Sequence, residues 1–268
     1  MASDPSTPAT PEARYDEARM PLLAHLQELR IRLIRAFIAV GLGFAVAYAF
    51  ADPIFNALTR PFLAVAGGNA MLVGTGVVEA FITKIKVAMI AGLFIASPAV
   101  FYELWRFISP GLYESEKRNA RPFVIATTAC FVAGGYFCYA VIMPVGYGFF
   151  LGEYESINVT PTIRISEYLS FASRMILAFG LTFEMPVLAY FLTRLGVIDH
   201  TMLRRHWRWI VVGIAVAAAA FTPPDAVSMM LLGVPLMALY GLSFAVTYFF
   251  RLRPDENAAP ATDGPAAQ

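Results

Sequence analysis

Charge is what this chain has least of. Only 15% of its 268 residues are Asp, Glu, Lys or Arg, 58% are hydrophobic, and the mean hydropathy is +0.62. That balance excludes an ordinary soluble domain and makes lipid the solvent for most of the chain. The formal net charge is +1, and the basic residues are scattered among apolar segments without forming a face interleaved with aromatics, which excludes nucleic acid as a partner. Cysteine is nearly absent. Cys130 and Cys138 share one apolar run, where a spacing of eight separates them by about 12 Å of helical rise and forbids a bridge. They read as small apolar residues of a membrane helix, and neither a redox pair nor a metal site is implied.

Signatures of enzymatic chemistry are missing as well. There is no GxxxxGK phosphate loop, no HExxH and no GxSxG, and the three histidines, His25, His200 and His206, are not clustered. The fragment Gly74-Thr75-Gly76 lacks a third glycine and a strand context, so it carries no nucleotide reading. No cofactor is expected, the chain is not expected to be an enzyme, and any work it performs is not driven by ATP bound to it.

Six apolar segments are present instead. Residues 1–20, rich in Pro, Ala, Thr and acid, lack the basic-then-apolar order of a signal peptide and read as a disordered tail; residues 251–268 have the same character and read as a cytoplasmic tail. Between them, residues 21–250 read as one transmembrane domain with spans near 33–51, 81–105, 122–150, 168–195, 207–221 and 226–250. The last two are separated by Thr222, Pro223, Pro224 and Asp225, which break an otherwise impossibly long helix. The fifth, of about 15 residues, is short for an unthinned bilayer. Pro144 is expected to bend the third span near one end.

Basic residues alternate between the connections. Arg30, Arg32 and Arg35 precede the first span; Arg106, Lys117, Arg118 and Arg121 lie in the second connection; Arg194, Arg204, Arg205 and Arg208 lie in the fourth; Arg251 and Arg253 follow the last span. The opposite connections hold only Arg60 and Arg164. The positive-inside rule then places both termini in the cytoplasm and requires an even number of spans. The fold class is all-α, a polytopic membrane protein of six helices.

Three places could carry function. Glu184 sits in an apolar stretch, residues 179–189, where a carboxylate costs at least about 2.5 kcal/mol unless it faces protein or water; it is either satisfied by a neighbouring helix or part of a polar cavity or partner site. Pro186 is expected to kink the helix beside it and free a backbone carbonyl. Residues 21–33 place Leu22, Leu26, Leu29 and Leu33 on one helical face and His25, Glu28, Arg32 and Arg35 on another, as in an interfacial amphipathic helix whose charges are either solvated or used. Residues 101–122 mix aromatics and bases with Glu103, Glu114 and Glu116. A positive-inside loop has no topological need for acids, so this is either a solvated loop or a carboxylate surface for a basic peptide.

Several motifs occur in an order that resembles one family. They are His25-Leu26-Gln27-Glu28-Leu29-Arg30 before the first span, Ser97-Pro98 in the second, Phe107-Ile108-Ser109-Pro110-Gly111-Leu112-Tyr113 with Glu116 and Arg118 in the loop, Phe183-Glu184-Met185-Pro186, and Thr222-Pro223-Pro224-Asp225. Over nearly all of residues 21–250 the sequence resembles the TatC family, the multispanning receptor component of the twin-arginine protein translocase. The resemblance implies a receptor in the bacterial inner membrane for twin-arginine signal peptides of folded precursors. It also implies single-span TatA- and TatB-type partner subunits, self-association in a receptor complex and transport powered by the proton gradient. Carried over by position, Glu28 and Glu116 are the carboxylates for the signal arginines, and Arg30, Phe107 and Leu112 shape the same surface. Pro61, Glu184 and Asp225 match further functional positions. Met229, where the family often has glutamine, and Gly241, where many members have an acid, depart from the pattern and bear on partner docking. The rival reading from another class is a proton-coupled secondary transporter of a small solute with Glu184 as its carrier group.

Overall fold

The structure, a computed structural model, describes residues 11–67, 71–108, 120–194, 198–222 and 225–250. In chain order these form α1 (Pro11–Ala49), α2 (Ala51–Ala66), β1 (Met71–Val73), α3 (Glu79–Ile108), α4 (Ala120–Phe137), a π-helical turn (Cys138–Ile142), α5 (Met143–Ser156), β2 (Thr162–Arg164), α6 (Ile165–Phe183), α7 (Met185–Arg194), α8 (His200–Arg205), α9 (Trp207–Phe221) and α10 (Ala226–Phe249). Five helical runs are long and apolar enough to cross a membrane, His25–Ala49, Glu79–Ile108, Arg121–Ser156, Ile165–Arg194 and Ala226–Phe249, and Trp207–Phe221 is a shorter apolar helix. The chain is therefore an all-α multi-pass membrane protein with the six apolar segments expected from hydropathy. Two differences stand out. Helix α1 begins at Pro11 and takes in residues 11–20, which read as a tail from composition, and α2 folds as a separate helix within what read only as a charge-poor connection. The C-terminal stretch from residue 251 lies outside the described residues.

Prolines shape the spans locally. Pro98, inside α3, has no N–H to offer the carbonyl of Phe94 one turn back. The Ser97 hydroxyl donates to that same oxygen at 2.7 Å, so the Ser-Pro pair repairs the ladder it interrupts. In the third span the turn before Pro144 widens to π geometry, and the Met143 N–H donates five residues back to the Cys138 carbonyl. In the fourth, Pro186 divides α6 from α7, with Glu184 at the break and its N–H reaching only three residues back to Leu181.

The chain forms two compact units, one from described residues within 1–63, 70–129 and 162–173, the other within 64–69, 130–161 and 174–268. In the first, α1 and α3 meet backbone to backbone. Gly43 on α1 faces Gly92 and Ala96 of α3, and Ala47 of α1 and Ala88 of α3 are fully buried. A Cβ at Gly92 would stand 2.5 Å from the Phe44 amide nitrogen and 2.6 Å from its Cα, so glycine is what permits this approach. Helix α2 packs through buried Phe62 on Tyr168, with ring centroids 5.2 Å apart, and the Tyr168 hydroxyl donates to the Leu58 carbonyl at 2.6 Å. Strands β1 and β2 pair in parallel, Met71 opposite Thr162 and Val73 opposite Arg164.

The second unit uses the same device. A Cβ at Gly134 of α4 would meet the Phe179 carbonyl at 2.5 Å, and one at Gly180 of α6 would meet the Phe131 ring at 2.9 Å. Phe137 lies 5.9 Å from Phe179 and 5.5 Å from Phe183, ring to ring. Helix α8 starts at an N-cap, Asp199, whose carboxylate accepts from the His200 amide at 2.7 Å. Tyr240 of α10 donates to the Leu203 carbonyl at 3.1 Å, tying α10 to α8.

Candidate functional site

Glu28 lies on the polar face of α1, near the start of its apolar run His25–Ala49. Four residues on, Arg32 reaches back and pairs with one of its oxygens, the orientation in which an acid N-terminal to a base is favoured on a helix. His25 approaches the other oxygen, with Nδ1 at 4.0 Å, and its ring stacks on Phe107 at 4.6 Å with an interplanar angle of 23°. The N-terminal part of α1 and the last turn of α3 thus meet at a surface holding a half-exposed carboxylate and two stacked rings. Beside it is a recess of about 300 Å³ lined by Gln27, Glu28, Ile31, Arg32, Arg35 and Arg106. Arg30 is exposed and does not line this recess. Leu112 and Glu116 lie outside the described residues. Of the five residues assigned to signal recognition, the structure joins Glu28 and Phe107, through His25.

Glu184 is buried, 5% exposed. The backbone amide of Phe131 in α4 contacts its carboxyl, while Oε1 has no hydrogen-bond partner among the described residues. A buried acid with one unsatisfied oxygen at a helix break is a polar point within an aromatic environment of Phe131, Phe137 and Phe183. Pro61 is buried inside α2. Asp225 is the N-cap of α10, its Oδ1 accepting from the Ser228 amide at 2.7 Å, so this acid has a local structural task whatever else it does. Met229 lines an apolar groove of about 430 Å³ between α9 and α10, with Ile214, Ala218, Gly233 and Met237. A Cβ at Gly241 would meet nothing within 4 Å.

One polar centre was not singled out from sequence. Glu79, the first residue of α3, accepts at one oxygen from the amides of Thr75 at 2.6 Å and Gly76 at 3.0 Å, and from the Thr75 hydroxyl at 3.1 Å. Its other oxygen accepts from the Ser166 amide at 3.2 Å and hydroxyl at 2.5 Å. Arg164 donates to the Thr75 hydroxyl through Nε at 3.0 Å and Nη2 at 2.7 Å. One carboxylate therefore fastens the turn after β1 to the turn after β2. The Thr75-Gly76 amides, set aside as a nucleotide loop, serve this clamp. Glycine and threonine just ahead of an acid at a helix start were the available signal, but the partner 87 residues away was not.

Comparison with known proteins gives a consistent answer. The family model described as Sec-independent protein translocase protein (TatC) matches residues 24–235. The protein of that name from Desulforapulum autotrophicum is 39% identical over 254 residues, covering 94% of this chain and 93% of the relative. The one from Azotobacter chroococcum is 38% identical over 258 residues, covering 96% and 98%. A crystal structure described as the twin arginine translocase receptor TatC superposes with a TM-score of 0.78 at 33% identity, over 84% of this chain and 99% of that one.

Proposed function

The chain belongs to the TatC family of Sec-independent protein translocase proteins, and from that premise we propose that it is the receptor on which twin-arginine signal peptides dock. It is a transport component and carries out no catalysis of its own. Both termini lie in the cytoplasm, the membrane is the bacterial inner membrane, and the work of translocation is drawn from the proton gradient. Single-span TatA- and TatB-type subunits assemble against its helices, and copies of the chain associate in the receptor complex.

The observation that carries the reading is the surface made by Glu28, His25 and Phe107. A guanidinium is planar, offers a fork of donors to a carboxylate and stacks on rings, which an ammonium does not. Glu28 supplies the carboxylate for one signal arginine, and Glu116 for the other. Phe107 and Leu112 provide apolar contact, and Arg30 borders the surface. The hydrophobic part of the signal then passes along the helices toward Glu184, while Pro61 and Asp225 act in the later assembly with partner subunits. In membranes holding the protein, a peptide with two adjacent arginines should be captured in preference to the same peptide with two lysines. Glu116→Ala should abolish that preference without affecting membrane insertion. Equal capture of both peptides by the unaltered protein would refute the receptor reading.

A further inference from the structure

Helix α8 ends and α9 begins within one run of exposed residues, Arg204, Arg205, His206, Trp207, Arg208 and Trp209. Trp207 and Trp209 are 51% and 76% exposed. The three arginines are not served from within the chain. Asp199, the nearest acid in sequence, is committed to the start of α8, where it accepts from the His200 amide and, at 2.8 Å, from the Thr201 hydroxyl. Among the described residues no carboxylate pairs with Arg204, Arg205 or Arg208. The Arg208 guanidinium sits over the Trp207 ring, 5.8 Å from its centroid, a contact that orients the charge without neutralising it.

The position of this run selects its partner. Trp207 opens the apolar helix α9, and the side chains exposed beyond it are Val212 and Val216. The surface therefore passes from guanidinium to indole to aliphatic along one helix, the order in which a bilayer passes from headgroup to hydrocarbon. Five residue intervals rise about 8 Å along a helix, so the like charges are gathered and repel one another until anions meet them. Orientation calls for bases on one side of the membrane but not for their concentration beside two exposed tryptophans. We propose that residues 204–209 form a contact surface for anionic glycerophospholipids of the leaflet in which α9 begins. Arg204, Arg205 and Arg208 meet the phosphates, and Trp207 and Trp209 lie at the level of the ester groups. The surface holds for either orientation of the chain and does not depend on the signal-peptide reading, because none of these residues belongs to that site.

The chain's three tryptophans supply the probe. Trp105 is buried, 4% exposed, which leaves Trp207 and Trp209 open to lipid. The full chain is reconstituted in phosphatidylcholine bilayers holding a fixed fraction of phosphatidylglycerol or of phosphatidylcholine, each brominated near the ester end of its acyl chains, and the quenching of fluorescence is compared. Brominated phosphatidylglycerol should associate about fivefold more strongly than brominated phosphatidylcholine, the effect of one base near an anionic surface. High salt should shrink that excess, and the combined Arg204→Gln, Arg205→Gln and Arg208→Gln variant should abolish it. Arg60→Gln, at an exposed base of α2, should leave it intact, and the Trp207→Phe, Trp209→Phe variant, reporting through Trp105 alone, should show none. Should the triple variant fail to fold, Arg208→Gln alone should reduce the excess. Equal quenching by the two lipids in the unaltered protein, or an excess that survives loss of the arginines, overturns the proposal. Quenching by neither lipid would set both tryptophans in water, the outcome expected of a surface that meets an acidic protein segment, and overturns it as well.

Discussion

Replacing Gly92 with alanine adds one methyl group where the backbones of α1 and α3 touch. The new Cβ would be 2.5 Å from the Phe44 nitrogen and 2.6 Å from the Phe44 Cα. Ordinary contact begins near 3.4 Å, so the helices must part by about 1 Å along the seam. The obstructing atoms are backbone, so no rotamer change relieves the clash, and Ala96, one turn along, loses its contact with Gly43 as well. Overpacking of this kind costs about 1–3 kcal/mol. Alanine also gains about 0.5–1 kcal/mol over glycine in helix propensity, which leaves a net loss of up to about 2.5 kcal/mol. Gly41→Ala is the internal control: it lies in α1 with nothing within 4 Å of its Cβ, so only the propensity term operates and the variant should be neutral or slightly stabilised. Unfolding of the purified proteins in mixed micelles of rising sodium dodecyl sulfate content separates the two. If Gly92→Ala is as stable as Gly41→Ala, the seam is not in close contact and the packing argument for the first unit fails.

Other consequences are equally direct. Removing the Glu79 carboxylate as Glu79→Ala should accelerate amide exchange at Thr75, Gly76 and Ser166 together, because one group holds all three; acceleration at only one turn would refute the clamp. Asp225→Ala should lower stability by about 0.5–2 kcal/mol through loss of the α10 N-cap, and Asp225→Asn should restore it, as measured by the same detergent unfolding. Asp199, whose carboxyl is held below its ordinary value first by the Thr201 hydroxyl and then by His200, stabilises α8 only when ionised. Since the folded pKa is the lower one, that support is complete above the ordinary carboxylate range near pH 4 and is lost as the pH falls through the folded value; protection of the His200 amide should fade in that direction, and Asp199→Ala should abolish the dependence. Finally, Arg32→Gln should raise capture of the arginine peptide and of the lysine peptide alike, and unchanged capture of both would show that Arg32 does not compete for Glu28.

Hydropathy and proline placement made the architecture legible because each acts within one segment. A run of twenty apolar residues, the break at 222–225 and the kink at Glu184-Met185-Pro186 need no knowledge of neighbours. Contacts across the chain were not legible for the same reason. Gly43 and Gly92 are unremarkable glycines until α1 and α3 are laid together, and nothing in residues 71–73 or 162–164 announces a parallel pair. Glu79 looked like an ordinary helix-start acid, since its second set of donors comes from Ser166. At the candidate site the position of Glu28 was readable from helical spacing. Its pairing with Arg32 followed from the same spacing of four, yet the stack of His25 on Phe107 depended on how the end of α3 meets α1.

That pairing bears on how a receptor of this kind would tell arginine from lysine. Glu28 is already served by a guanidinium, so an incoming cation must displace Arg32 before it gains anything. The Arg32 side chain is only 13% exposed, so the pair costs more to break than the ~0.3–0.5 kcal/mol of an exposed helical pair, and the exchange is driven only by a ligand that does better. An arginine does better: it takes both carboxylate oxygens and stacks on the His25 and Phe107 rings, and charged hydrogen bonds contribute about 1.5–3 kcal/mol each where water is excluded. A lysine offers one point charge without a fork or a plane, and it too must displace Arg32 from Glu28, the carboxylate that pairs with it among the described residues. Its net gain is close to zero. On the proposed reading, then, the internal ion pair subtracts the same amount from both ligands and leaves the ratio of their affinities unchanged, so the discrimination comes from the fork and the plane that only the arginine has.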